Sequence, residues 1–212
     1  MKKLIVFGAT GGSGKEVVRQ ALDRGYEVTA VVRQPSLFNM QHTRLAIIQG
    51  DVLQPSTFEK NMQGMDAVIS CLGVGRSRKP TSLYSAGTEH IISDMNTAGV
   101  PRFICISAGA LYVNRQMGFF IRLLTRVVLQ PLLREMYADM RLMEAAVEDS
   151  NVHWTIVRPP MLTDKPFTGV YRTAMNDHIK SPFSIGRADL ADFMLNIIGD
   201  TEAFGAKAEL SY

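Results

Sequence analysis

The chain of 212 residues has two cysteines, one tryptophan and four histidines. Cys71 and Cys105 each sit in an apolar run and read as buried free thiols, which excludes a disulfide scaffold and fits a reducing cytoplasm. His42, His90, His153 and His178 are scattered without ligand spacing, so no metal site is expected. Charge of one sign is also scarce: the net charge is +3, and the 23 Lys and Arg are spread along the chain, so nucleic acid is not expected as a partner. No long hydrophobic run occurs. The most apolar stretch, Phe119 to Leu129, is 11 residues long and is interrupted by Arg122 and Arg126, too short and too charged for a transmembrane segment. Met1 to Phe7 leads straight into a glycine turn rather than a signal peptide, so a cytoplasmic protein is expected.

What is present is 46% hydrophobic residues, enough for a substantial core, arranged as short β-branched runs alternating with helical stretches. The pattern predicts strands at Leu4–Phe7, Glu27–Val32, Leu45–Gln49, Ala67–Cys71, Phe103–Ile106 and Val152–Val157. Helices are predicted at Ser13–Arg24, Leu83–Ala98, Leu132–Ser150 and Leu190–Ile198, with a short one at Ser56–Met62. Right-handed crossovers make this a doubly wound parallel sheet, a three-layer α/β/α Rossmann fold, with residues 1–212 as one domain.

After the first strand the chain reads Gly8-Ala9-Thr10-Gly11-Gly12-Ser13-Gly14. Gly8 permits a tight turn, Gly11 lets backbone approach a pyrophosphate, and Gly14 lets the helix pack on the strand. The helix N-terminus then aims free N–H groups at the phosphates. A glycine triplet alone is weak, but between an apolar strand and an amphipathic helix it specifies a dinucleotide site. The second strand ends at Val32-Arg33-Gln34 without the acid that would bind a ribose 2′-hydroxyl. Arg33 offers a planar fork suited to a 2′-phosphate, so NADP is the expected cofactor.

These residues resemble the atypical short-chain dehydrogenase/reductases, in the NAD(P)H-binding, NmrA-like group. Within it the chain is most similar to the biliverdin-IXβ reductase/flavin reductase family. The similarity runs through GATGGSG at 8–14, YEVTAVVR at 26–33, GDVLQ at 50–54, DAVISCLG at 66–73, ISA at 106–108 and DLADFML at 189–195. Its most specific stretch is RPPMLTDKPFTGVY at 158–171. The resemblance implies that Gly8, Thr10, Gly11, Gly12, Ser13 and Gly14 line the phosphates, with Arg33 on the 2′-phosphate. It implies further that Asp51 and Val52 flank the adenine and that Leu72 and Gly73 lie along the ribose and diphosphate. Ser107 would face the nicotinamide as the candidate catalytic residue. Pro159, Pro160, Met161 and Leu162 would hold the carboxamide and floor a substrate pocket formed by segments near 107–135 and 159–180.

One feature of the superfamily is missing. Counting back from Arg158-Pro159, its lysine position falls on Met140 and its tyrosine position on Met136, neither of which moves a proton. Tyr137 lies one residue out of phase, about 100° around the helix. Reduction of a carbonyl needs a delivered proton, whereas a flavin or another planar conjugated acceptor needs chiefly a hydride and correct positioning. The expectation is therefore an NADPH-dependent reductase of a small-molecule planar acceptor. A regulator or assembly factor that binds NADP without turnover is the alternative, and a nucleotide-sugar epimerase a weaker third. In segment 110–135, Phe119, Phe120, Leu123, Leu124, Val127 and Val128 recur at helical spacing between arginines. A helix covering the end of the sheet is expected there, or a lid whose arginines attract an anionic substrate, or a partner or membrane-surface contact.

Overall fold

A computed structural model describes residues 2–75 and 77–212. The centre of its sheet is built from segments that are apolar on both faces, as strands covered by helices on each side must be. Strands β1 (Lys3–Phe7), β2 (Glu27–Val32), β3 (Leu45–Gln49), β4 (Ala67–Ser70), β5 (Arg102–Ile106) and β6 (His153–Val157) all run parallel. In β1 the four residues Leu4, Ile5, Val6 and Phe7 are fully buried. The spatial order is β3-β2-β1-β4-β5-β6, followed by residues Ala206–Ser211 and then Arg172–Met175 at the edge, so the winding reverses between β1 and β4, and the crevice at that switch point is where this fold places ligands.

Helices α1 (Gly12–Asp23) and α6 (Arg187–Asn196) pack together on one face of the sheet. Helices α2 (Ser85–Ala98) and α5 (Arg134–Glu148) cover the other. Each face has its own apolar cluster: Val17, Ala21, Leu190 and Met194 against Leu4, Val6 and Ile69 on one side, and Ile91, Met95, Met143 and Val147 against Ile5, Val68 and Phe103 on the other. Helix α2 stops where Gly99 turns left-handed at φ +71°, ahead of Pro101. Two ionic groups tie these layers. Buried Arg102 donates to the carbonyls of Phe103, His153, Ile197 and Ile198, and its burial lowers the guanidinium pKa to about 10. Arg158 at the end of β6 donates from Nε to Glu144 of α5 at 2.9 Å.

Four features depart from the sequence expectation. The short helix expected at Ser56–Met62 is two 3-10 turns, Pro55–Thr57 and Glu59–Met62, because Pro55 opens the first turn and Phe58, at φ −136° and ψ −10°, leaves helical geometry between them. A six-residue strand, β10 (Ala206–Ser211), was not expected, since AKAELS holds no β-branched residue. It inserts parallel to β6 and carries an antiparallel edge strand, β8 (Arg172–Met175). A second, two-stranded parallel sheet joins β7 (Met161–Thr163) to β9 (Ser184–Gly186). Finally, α3 (Phe119–Leu124) continues through a π-helical turn at Thr125–Leu129 into α4 (Gln130–Leu132). The apolar positions expected to lie against the sheet instead face outward.

Candidate active site

The glycine turn is shaped by three close approaches. Gly8 sits at φ +72°, and a Cβ there would lie 2.3 Å from the Cys71 carbonyl oxygen on β4's far end. A Cβ on Gly14 would lie 2.2 Å from the Gly8 carbonyl oxygen, so only glycine lets α1 begin this close to β1. The Gly11 N–H donates to Gly8 O at 3.0 Å and closes the turn. Helix α1 carries no side-chain cap and no acid in its first turn, leaving its terminal N–H groups and positive dipole end directed at the crevice. Gly12 has a role that its spacing in the sequence does not reveal. The Arg187 side chain crosses it so closely that a Cβ would meet Cδ at 2.7 Å and Nε at 2.8 Å. Arg187, at the start of α6, is held there by Asp164 at 2.6 Å.

The strands' carboxyl ends enclose a cleft of about 440 Å³. Gly8, Thr10, Gly11, Gly12 and Ser13 line one part, and Arg33, Asp51 and Val52 line the ends of β2 and β3. Leu72 and Gly73 follow β4, while Ser107 and Leu162 close the far end. Gly14 is buried beneath the turn rather than on the cleft, consistent with its packing role. Asp51 is oriented by its own turn, its Oδ1 accepting the Leu53 N–H at 3.0 Å and its N–H donating to Thr57 Oγ1 at 2.9 Å. Ser107 is 4% exposed, and its Oγ has no hydrogen-bond partner. A buried hydroxyl left unpaired beside a cleft is what a ligand's polar group would satisfy. That orphan, together with the Cβ-free turn, fits a dinucleotide lying from the glycine turn to Ser107.

The structure does not bring Pro159, Pro160 and Met161 into this cleft. Residues along a strand alternate sides. Leu162 of β7 therefore faces the cleft while Met161 faces away from it, lining with Pro160, which precedes the strand, a second cavity of about 160 Å³. Pro159 is buried between them and accepts the Gly109 N–H at 2.8 Å. Ile121, Leu124, Thr125 and Leu129 roof the second cavity, whose polar rim includes Arg158 and Glu209. Glu209 accepts the Ile179 N–H at 2.9 Å and lies 2.7 Å from His178 Nδ1.

Proton-moving groups are few on the cleft. Met140 lines it, whereas Tyr137 is 4% exposed within the core on the α2/α5 face, where burial raises its phenol pKa. Next to it in α5, Asp139 is committed to α2, accepting the Tyr84 N–H at 2.9 Å and the Ser85 N–H and hydroxyl. Tyr84 is a cleft residue that sequence reasoning missed, because its place depends on where α2 starts. Its hydroxyl accepts the Val74 N–H at 3.2 Å, and burial raises its pKa, so it is no activated acid. Burial likewise pushes the Cys71 thiol up to about 12, which removes thiolate chemistry. Arg187 was also missed: a lone arginine ahead of a late helix gives no local sign that it reaches the first turn of α1. Among the described residues no group of three His, Cys, Asp or Glu is placed to hold a metal ion, and no helix is long and apolar enough to cross a membrane.

Comparison with known proteins agrees with this geometry. The uncharacterized protein YwnB of Bacillus subtilis is 25% identical over 209 residues, covering 94% of this chain and 92% of that one. The photosystem II assembly factor Ycf39 of Guillardia theta is 31% identical over 111 residues, which is 49% of this chain and 34% of that protein. The chain thus spans about a third of that relative's length. Among solved structures, a short-chain dehydrogenase/reductase of Veillonella parvula in complex with NADP superposes with a TM-score of 0.82 at 16% identity, covering 100% of this chain and 94% of that one. The oxidoreductase ylbE of Lactococcus lactis has a TM-score of 0.78 at 22% identity, covering 99% and 90%. At these identities the structures establish the fold. A family model described as NAD(P)H-binding matches residues 8–201, and the chain therefore belongs to that NAD(P)H-binding family, with a Rossmann fold.

Proposed function

We propose that this protein is an NADPH-dependent reductase that delivers a hydride to a flavin or a similarly planar conjugated acceptor, close in activity to the biliverdin-IXβ reductase/flavin reductase family. The observation that carries the reading is the cleft's far end. There Ser107 presents an unpaired hydroxyl, the cleft lining holds Met140 rather than a lysine, and no activated acid is at hand. NADPH supplies the hydride when bound. The chain's own part is to hold and orient it. The α1 N-terminus and Arg187 neutralise the diphosphate, and Arg33 takes the 2′-phosphate. Ser107 satisfies the carboxamide and sets the ring's face, with Leu162 packing beneath it. An acceptor with a delocalised product can take its proton from water, so positioning carries the catalysis. The apolar cavity roofed by Ile121, Leu124 and Leu129 adjoins this end through the segment from Ser107 to Gly109 and would receive the acceptor's edge.

The direct test is a spectrophotometric screen with NADPH and NADH in parallel against FMN, riboflavin, quinones and linear tetrapyrroles. NADPH oxidation with at least one flavin or tetrapyrrole is expected. Tight NADPH binding with no turnover across the panel would refute it in favour of a second reading, a cofactor-binding assembly factor, which the partial similarity to Ycf39 supports.

A further inference from the structure

The helical run from Phe119 to Leu132 faces solvent with its apolar side. Projected at about 100° per residue, Phe119, Phe120, Leu123, Leu124, Val127 and Val128 share one half of it. Their exposures range from 46% to 82%. Thr125, 2% exposed, marks the opposite, inward line. A water-facing helix is ordinarily built the other way round. Arg122 and Arg126 lie along one flank of the apolar half.

The segment that carries this face has side-chain charge of one sign only. Residues 110–134 contain Arg115, Arg122, Arg126 and Arg134 and no carboxylate. Only Arg134 has an acidic neighbour, Glu135 at 2.8 Å. Among the described residues Arg115, Arg122, Arg126 and Arg141 are in no ion pair. Beside the run lies an open hollow lined by Leu111, Tyr112, Val113, Arg126, Gln130 and Arg141, with two guanidinium groups and no acid. An exposed arc of Phe, Leu and Val flanked by arginines is the pattern of a helix lying in a membrane interface. A second copy of this chain is a poorer occupant. A two-fold contact would set Arg122 and Arg126 near their own equivalents with no carboxylate between them.

We propose that the run Phe119–Leu132 is a peripheral docking element for anionic phospholipid bilayers. Phe119, Phe120, Leu123 and Val127 enter the acyl boundary, and Arg122, Arg126 and Arg141 engage headgroup phosphates, the last two around the hollow. This surface is independent of the cofactor cleft, and its occupancy does not depend on the acceptor's identity.

The test is co-sedimentation of the full chain with large unilamellar vesicles of phosphatidylcholine alone or with phosphatidylglycerol. Binding to the anionic vesicles is expected at low salt, with at least tenfold weaker binding to neutral vesicles or in 0.5 M salt. Each of Arg122→Gln, Arg126→Gln and Arg141→Gln should weaken binding about fivefold, the equivalent of one basic residue at an anionic surface. The double variant Phe120→Ser, Val127→Ser should lose vesicle binding while its NADPH titration, a measure of intact fold, stays at the parent value. Absence of binding to anionic vesicles overturns the proposal. So does equal binding to neutral ones, or a vesicle-free dimer that Phe120→Ser dissociates, which would assign the face to a second copy.

Discussion

Replacing Gly12 by alanine puts a methyl group where the Arg187 side chain now runs, 2.7 Å from its Cδ. The backbone accepts the change: Gly12 is the first residue of α1 and is not left-handed, so alanine there is neutral or stabilising by ~0.5–1 kcal/mol. The arginine must move, and its ion pair with the 88% exposed Asp164 is worth only about 0–1 kcal/mol, so folding stability should hold. What changes is the charge facing the diphosphate. A charge-assisted hydrogen bond contributes ~1.5–3 kcal/mol, so Arg187→Met should weaken NADPH binding roughly 10- to 100-fold. Gly12→Ala should lose up to that amount, about tenfold. Because both act through one guanidinium, the double variant should bind no more weakly than Arg187→Met. Calorimetric or fluorescence titration of the four proteins, with a melting curve for each, measures this. Parent-like affinity in both single variants would refute the role of Arg187. A Gly12→Ala loss that persists in full without Arg187 would mean that the methyl obstructs the cofactor itself.

Arg33→Ala should raise the NADPH dissociation constant about 10- to 100-fold and leave NADH unchanged, because one charge-assisted contact to the 2′-phosphate is removed; parallel titrations read it. Ser107→Ala deletes a buried hydroxyl that has no partner, so the melting temperature should hold or rise while NADPH-dependent flavin reduction falls about tenfold, the equivalent of one hydrogen bond. Asp189 gives the pH dependence. Its burial raises the carboxyl pKa, but hydrogen bonds from the Tyr212 hydroxyl at 2.6 Å and the Thr168 and Gly169 N–H groups at 2.9 and 2.8 Å outweigh this and leave it below the ordinary value. A depressed carboxyl contributes stability above its unfolded pKa of about 4 and loses it as pH falls through the folded value. Asp189→Asn leaves the buried donors around it imperfectly paired, so it should cost about 1–3 kcal/mol at pH 7 and flatten the loss of stability below pH 4, as read by denaturant melts across pH.

The parallel core of the sheet was legible because strands buried on both faces must be continuously apolar, and runs such as LIVF and AVIS can be nothing else between turn residues. The glycine turn was legible for a related reason: the clashes at Gly8 and Gly14 are backbone clashes, which no other residue type can avoid. Strand β10 was not. AKAELS has little strand propensity of its own, and it pairs because β6 offers an open edge and Arg158 N–H reaches Ala208 O at 2.7 Å. The parting of Leu162 from Pro160 and Met161 was equally hidden, since it depends on β7 pairing with the distant β9, Met161 opposite Ser184.

The sequence by itself determined the alternation of strands and helices and the place of the phosphate turn, because both follow from local burial and local sterics. It also marked an arginine at the end of β2. Tertiary structure alone decided that Arg187 crosses Gly12, that Tyr84 and Met140 meet at the cleft, and that the apolar half of residues 119–132 faces out. Helical spacing states which residues share a face, but which way that face turns depends on what the rest of the chain packs against it.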